Sequence, residues 1–235
     1  MVPVLPRIGN HTDFDILRLH PDVNLQFINL EQSIPPADLL ILPGSKNTIS
    51  DLTALKQAGW QQHIQRHLRY GGKIIGICGG YQMLGNHIHD PNGIEGKAGS
   101  TKGFGLLDIE TTMMPDKQLT RMNARFIHPD LYHVAATGYE IHCGVSTLSA
   151  EQKKRSLLEF EHADTWLIDG AYNADNNVFG SYLHGLLDDH TACSAILEWA
   201  GFKTTQKIDL NKVREQQLNR LAATIEQHCQ LPLID

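Results

Sequence analysis

The run Lys73-Ile-Ile-Gly-Ile-Cys-Gly-Gly-Tyr-Gln-Met-Leu-Gly85 constrains this chain more than any other. Lys73 to Ile77 is an apolar run without polar alternation, which suits a strand buried on both faces of a parallel sheet. It ends on Cys78, two glycines follow, and Tyr81-Gln-Met-Leu84 reads as a helical start. A side chain on so tight a strand-to-helix turn must tolerate strained backbone angles, so its neighbours must be small, and Gly76, Gly79 and Gly80 supply that. A thiol there sits at a helix N-terminus, where partial positive charge lowers its pKa and free N–H groups can bind an oxyanion. Cys78 is therefore read as a nucleophile, against the plainer reading of a buried structural thiol beside a glycine turn.

The first half continues in the same alternation. Strands are expected at Val2–Leu5, Val23–Ile28 and Asp38–Leu42, with a polar loop over Arg7–Asp15. Helices are expected over Thr48–Gln57 and Trp60–Tyr70, each closed by glycine. This β-α-β-α order predicts an α/β fold with a mostly parallel central sheet flanked by helices. Gly105–Thr112, Leu119–Ile127 and Gly138–Thr147 read as longer strands forming an added antiparallel sheet. Ser149–His162 reads as a loop or edge, and Trp166–Tyr172 and Val178–Leu183 as returning strands. A helix over Thr191–Ala200 and a final amphipathic helix over about 211–228 complete the chain, the latter with Val213, Leu218, Leu221, Ala222 and Ile225 for packing. With 235 residues and no repeat or internal linker, residues 1–235 read as a single domain.

A thiol nucleophile needs a base, and thirteen histidines are available. His184 follows the apolar run Val178–Leu183 and precedes Gly185, which places it on the sheet edge where Cys78 turns. The competing reading is a hydrogen-bonded histidine at a strand end. An oxyanion hole is needed too. Leu42-Pro-Gly-Ser-Lys-Asn-Thr48 ends another buried strand, so the Gly44–Ser45 backbone can present an N–H beside that of Gly79; an ordinary turn at Pro43 is the alternative.

The net charge of −6 and the lack of a Lys/Arg cluster give no footprint for nucleic acid. No apolar run approaches a membrane span, and the N-terminus has no signal-peptide pattern. Cys78, Cys143, Cys193 and Cys229 lack C-x-x-C spacing, so no zinc site is expected and a reducing cytoplasm is. His87-Ile-His89-Asp90 is too sparse for a metal site and reads as a solvated loop, and the glycine-rich stretch 93–105 as a mobile surface segment.

Taken together, G-I-C-G-G-Y-Q and F-G-S-Y-L-H-G resemble the class I, or triad-type, glutamine amidotransferases, whose fold is flavodoxin-like. Leu5-Pro-Arg-Ile-Gly-Asn-His-Thr-Asp-Phe-Asp15, the P-G-S-K-N-T run, Gly138-Tyr-Glu-Ile-His142 and Tyr182-Leu-His-Gly185 bring the likeness closer to the C-terminal amidotransferase domain of cobyric acid synthases. The resemblance implies that Cys78 forms a γ-glutamyl thioester and releases ammonia while His184 moves protons. Ammonia would then pass to an ATP- and Mg-using synthetase domain that amidates carboxylates of a corrin a,c-diamide in cobalamin biosynthesis.

Two departures from the family pattern carry information. Most class I enzymes have a glutamate two residues after the histidine, where this chain has Leu186. The subfamily resembled works as a Cys–His dyad in this respect, with Glu140 and Asp188 as unranked candidates to orient the imidazole. No G-x-x-x-x-G-K-[ST] loop occurs, so no cofactor is expected in this chain and the N-terminal ATP-using synthetase domain is expected to lie outside it. Glutamine is expected to be held by its α-amino and α-carboxylate groups near Gln82, Tyr139 and Glu140, with Glu140 pairing the ammonium. The alternatives are an amidotransferase for another acceptor, such as a lipid-linked muropeptide of the cell wall, and a non-catalytic domain of the same fold.

Overall fold

In the computed structural model, which describes residues 1–163, 165–203 and 208–229, the apolar runs of the first half become the parallel part of the fold. β3 (Leu39–Leu42), β4 (Lys73–Ile77) and β11 (Val178–Ser181) lie side by side and parallel. Leu40, Ile41, Leu42, Ile74, Ile75 and Ile77 are almost wholly buried here, each contributing about 1.5–3 kcal/mol. β1 (Val2–Val4) pairs in parallel with β2 (Phe27–Asn29), and Met1 is bonded to β3 through Leu39 O and Ile41 N. The helices α2 (Thr48–Gln57) and α3 (Trp60–Arg69) lie where the pattern put them, and Asn47 caps α2 by accepting from Ser50 N.

The rest of the sheet is mostly antiparallel. β10 (Thr165–Tyr172) pairs antiparallel with β11, and β9 (Ser156–His162) with β10. β7 (Ile109–Phe126) pairs antiparallel with β9 and with β8 (Ala135–Leu148). β5 (His87–Asp90) joins β7 in parallel and carries β6 (Gly99–Lys102) at the edge. The main sheet is thus a mixed, nine-stranded one rather than a mostly parallel sheet with a separate antiparallel addition. Its two parts are continuous because the chain turns directly from β10 into β11 and the two pair antiparallel.

Several elements depart from the sequence pattern for identifiable reasons. The two strands expected over 105–127 are one strand, β7, with a shift of register between Met113 and Gln118. Ser149–His162 is a turn of 3-10 helix followed by β9, whose Leu157 and Leu158 are fully buried. His87–Asp90 is a strand because β7 offers it an edge, and part of the glycine-rich stretch is a strand because His87–Asp90 in turn offers it one. Inside the expected Arg7–Asp15 loop lies a 3-10 turn, His11–Phe14, which continues into α1 (Asp15–Leu19). α4 (Gly79–Leu84) follows Cys78 directly, and α5 (His190–Trp199) covers one face. The final helix, α6 (Leu210–His228), does not pack as expected: Leu218 and Leu221 are exposed, and its first turns are held by Arg214 pairing with Asp15 and Asp188. No described helix is long and apolar enough to cross a membrane.

Candidate active site

Three strand ends of the parallel part meet at one cavity of about 380 Å³, within the range of small-ligand pockets. Cys78 follows β4 with φ 52° and ψ −109°, a conformation that a side chain adopts only under strain, at a cost of about 1–3 kcal/mol. It is held there by Cys78 N donating to Ser181 O at 2.9 Å and by Gln82 N donating to Cys78 O at 3.1 Å. The thiol lies 3.6 Å from Ile141 O of β8.

Burial pushes the Cys78 thiol up to about 12, and the Gly79 N–H pulls it back only in part. The expected lowering by the helix terminus is therefore outweighed by desolvation. The resting group is a neutral thiol, and its proton must leave as the sulfur attacks.

His184 follows β11 and lines the same cavity. Its Nδ1 lies 2.7 Å from Asp13 Oδ2, and Asp13 Oδ1 accepts from Gly185 N at 3.0 Å. Both side chains are buried. A carboxylate on Nδ1 keeps the proton on that nitrogen and leaves Nε2 as the basic one. The group on the imidazole is thus Asp13, not Glu140 or Asp188. Asp188 faces Arg214. Asp13 lies in the N-x-T-D-F-D segment, but 171 residues from His184, and no spacing rule joins positions so far apart.

The P-G-S turn after β3 closes over the cysteine. A methyl group on Gly44 would stand 3.1 Å from His184 Cε1 and 3.9 Å from Cys78 Cβ, so Gly44 lies close against both side chains. A methyl on Gly79 would stand 2.9 Å from Ser45 N, so Gly79 and the Ser45 amide lie side by side. Gly44 O accepts from Gly9 N at 2.9 Å, which fixes the Gly44–Ser45 peptide from outside. Because a trans peptide points its N–H opposite its C=O, the Ser45 N–H is turned toward the Gly79 side. Ser45 Oγ donates to the fully buried Asp51 at 2.6 Å, and Asp51 also accepts from Arg7 N at 3.2 Å. The turn is therefore braced by contacts within the chain.

Gln82 also lines the cavity, with its amide engaged at both ends: Oε1 accepts from Thr48 Oγ1 at 3.0 Å and Nε2 donates to Tyr182 OH at 3.2 Å. Tyr139 and Glu140 are placed elsewhere. They sit within β8 rather than at its end, and the strand's alternation separates their side chains. Tyr139 exchanges both backbone hydrogen bonds with His184 and stacks on its ring at 5.4 Å, facing a hollow on the far side of the histidine. Glu140 faces a third hollow, beside Asp169, with His142 Nε2 at 3.5 Å. Glu140 is thus not beside Cys78, and its expected pairing with the substrate ammonium is corrected by its direction along the strand.

Cys143 lines the cavity as a free thiol, and Glu95 enters it from the loop after β5. His87 and His89 stack at 5.7 Å beside Glu110, while Asp90 turns away into that loop. Among the described residues no cluster of three or more His, Cys, Asp or Glu is arranged to hold a metal ion.

Residues 1–192 match the family profile described as the CobB/CobQ-like glutamine amidotransferase domain. Among solved structures, the chain is similar to one described as the structure of PurLQS from Thermotoga maritima, at 18% identity and TM-score 0.58, covering 94% of this chain and 97% of that one. It is also similar to one described as a glutamine amidotransferase, at 15% identity and TM-score 0.60, covering 86% and 99%. At such identities the two structures speak for the fold.

Proposed function

The chain belongs to the CobB/CobQ-like glutamine amidotransferase domain family, and from that premise we propose that its cavity hydrolyses glutamine through a Cys78–His184–Asp13 relay. The arrangement that carries the proposal is a strained, buried thiol sharing one cavity with a histidine whose other nitrogen is held by a buried carboxylate.

The chemistry follows from the neutral thiol. His184 Nε2 takes the Cys78 proton as the sulfur bonds to the amide carbon of glutamine. The negative oxygen that forms is met by the N–H groups of Ser45 and Gly79. The intermediate collapses, the proton on Nε2 goes to the leaving nitrogen, and ammonia departs. Water then gives a proton to Nε2 and attacks the thioester. The thiol regains that proton, and glutamate is released. Asp13 keeps the imidazole in one tautomer throughout and stabilises its charged form.

In the proposed reaction the ammonia attacks a carboxylate that ATP has activated, so the domain serves an ATP-using synthetase domain. The acceptor we propose is a corrin a,c-diamide, as in cobyric acid synthases, a reading that rests on the N-x-T-D-F-D and P-G-S-K-N-T segments. Glutamate release by the wild-type chain and its loss in Cys78→Ser test the glutaminase, together with labelling of Cys78 by a glutamine-like diazo-ketone. Labelling of Cys143 with Cys78 untouched would overturn the assignment. Adding an ATP-using domain, ATP, Mg²⁺ and either the corrin diamide or a lipid-linked muropeptide separates the two acceptors. No glutamate release under any of these conditions would leave a non-catalytic domain.

A further inference from the structure

Asp51 stands where a carboxylate is costly. It lies in the first turn of α2 with no exposure to solvent, and among the described residues its Oδ1 has no hydrogen-bond partner. The Arg7 guanidinium, itself half exposed, comes only to 4.0 Å and donates instead to Ser50 Oγ at 2.8 Å. Burial accordingly raises the Asp51 carboxyl above its ordinary value. A buried charge so poorly paired does little for stability, and an apolar side chain of similar volume would serve the helix as well or better.

The other oxygen shows what the charge does. Asp51 Oδ2 accepts from Ser45 Oγ at 2.6 Å and from Arg7 N at 3.2 Å. Ser45 Oγ in turn accepts from Asn47 N at 3.0 Å. A hydroxyl has one proton to donate, and here it is aimed at Asp51 while a lone pair faces the backbone, so the side chain is held in one orientation. The Ser45 backbone is held separately. Gly44 O accepts from Gly9 N at 2.9 Å, Lys46 N donates to Arg7 O at 2.9 Å, and Ile8 forms an antiparallel bridge with Ser45.

The Ser45 amide thus sits between two anchors, the 7–9 segment along its backbone and Asp51 through its side chain. Asp51 also joins the anchors to each other, because Arg7 N and Ser45 Oγ share one of its oxygens. The same helix reaches the second amide: Thr48 Oγ1 would stand 3.1 Å from a methyl on Gly79. Both N–H groups assigned to the reacting oxygen are therefore referred to the first turn of α2. Such a donor is effective only when it already stands where the charge develops, so a small displacement is felt in the rate.

Resting on the glutaminase reading, we propose that Asp51 is a positioning residue for the oxyanion site, acting through the Ser45 hydroxyl to hold the Ser45 N–H at the reacting oxygen. Asp51 itself lies outside the cavity lining and touches neither thiol nor substrate.

The test is a double-mutant cycle on the full chain. Ser45→Ala removes the hydroxyl and keeps the amide, and Asp51→Asn keeps the size and removes the charge. Each should lower kcat for glutamine hydrolysis by about ten- to hundredfold with KM within about threefold, because the displaced donor acts in the transition state. The double variant should be no slower than the slower single one, since both changes break the same hydrogen bond. Alkylation of Cys78 by iodoacetamide uses the thiol and His184 but builds no oxyanion, and it should run at the wild-type rate in all three.

Single variants with kcat within about threefold of wild type would overturn the proposal. So would losses that multiply in the double variant, or alkylation that slows along with hydrolysis, since a residue that only supports the fold would do this. Ser45→Ala changes a part-exposed turn and decides between these outcomes by itself if Asp51→Asn does not fold. A wild-type chain that releases no glutamate and resists the diazo-ketone would overturn the glutaminase reading, and the proposal with it.

Discussion

The parallel and antiparallel halves of the sheet are built from the same backbone bonds and do different work. In the parallel half, β3, β4 and β11 are short, apolar and buried, and each ends in a turn that faces the same cavity. Gly44 and Ser45, Cys78 and His184 come from those three ends. In the antiparallel half, β7 and β8 are long and amphipathic, and they reach the cavity through Met113, Ile141, His142 and Cys143, with Ile141 O nearest the thiol. Covering both faces of a sheet leaves only its edge for chemistry, whereas a strand with one free face spreads its polar residues along its length. The parallel half therefore concentrates reactive groups, and the antiparallel half roofs them.

If that division is right, the largest loss should follow a change beneath the parallel edge. Asp13→Asn preserves the volume but offers a neutral partner to His184 Nδ1. Glutamate release should fall by about two to four orders of magnitude with KM little changed. A change under about threefold would show that His184 works without its carboxylate, as a true dyad.

A smaller effect is expected at the seam between the halves. Asp169, buried in β10, accepts from Ser181 Oγ and Tyr182 N of the segment that leads to His184. Burial raises its carboxyl to about 6, above the ordinary carboxylate value. Between the unfolded value near 3.8 and the folded value near 6, the folded chain binds the more protons. Stability from this group is therefore lost as pH rises through that window. The thermal midpoint of the wild type should drop relative to Asp169→Asn between about pH 4 and pH 7, measured by calorimetric scans. A difference that stays flat with pH would mean that Asp169 is ionised in the folded chain.

The smallest effect belongs to the roof. Glu140→Gln should leave both KM and kcat for glutamine within about threefold, because the Glu140 side chain lies across β8 from the cavity. A tenfold or larger rise in KM would bring Glu140 back as a substrate contact and break the division.

Local patterns in the sequence suffice for the parallel half and for the tight turn that carries Cys78. Continuous apolar runs ending in Pro-Gly, Cys-Gly-Gly and His-Gly admit few arrangements other than buried strands with reactive ends on one edge, and the structure places Gly44, Ser45, Cys78, Gly79, Gln82 and His184 around that edge. Which carboxylate stands behind His184, which one enters the cavity, and which way Tyr139 and Glu140 face depend on long-range packing. Asp13 meets its partner from 171 positions away, through a turn that looked like a polar loop. Glu95 reaches the cavity because a glycine-rich segment folds back onto α2. Glu140 is turned aside by a strand register that depends on how β8 pairs with β7. A local pattern reports what each residue's chain neighbours require of it. The direction of a charge in space is set by which distant strand or helix it is packed against, and that is written in no single stretch of residues.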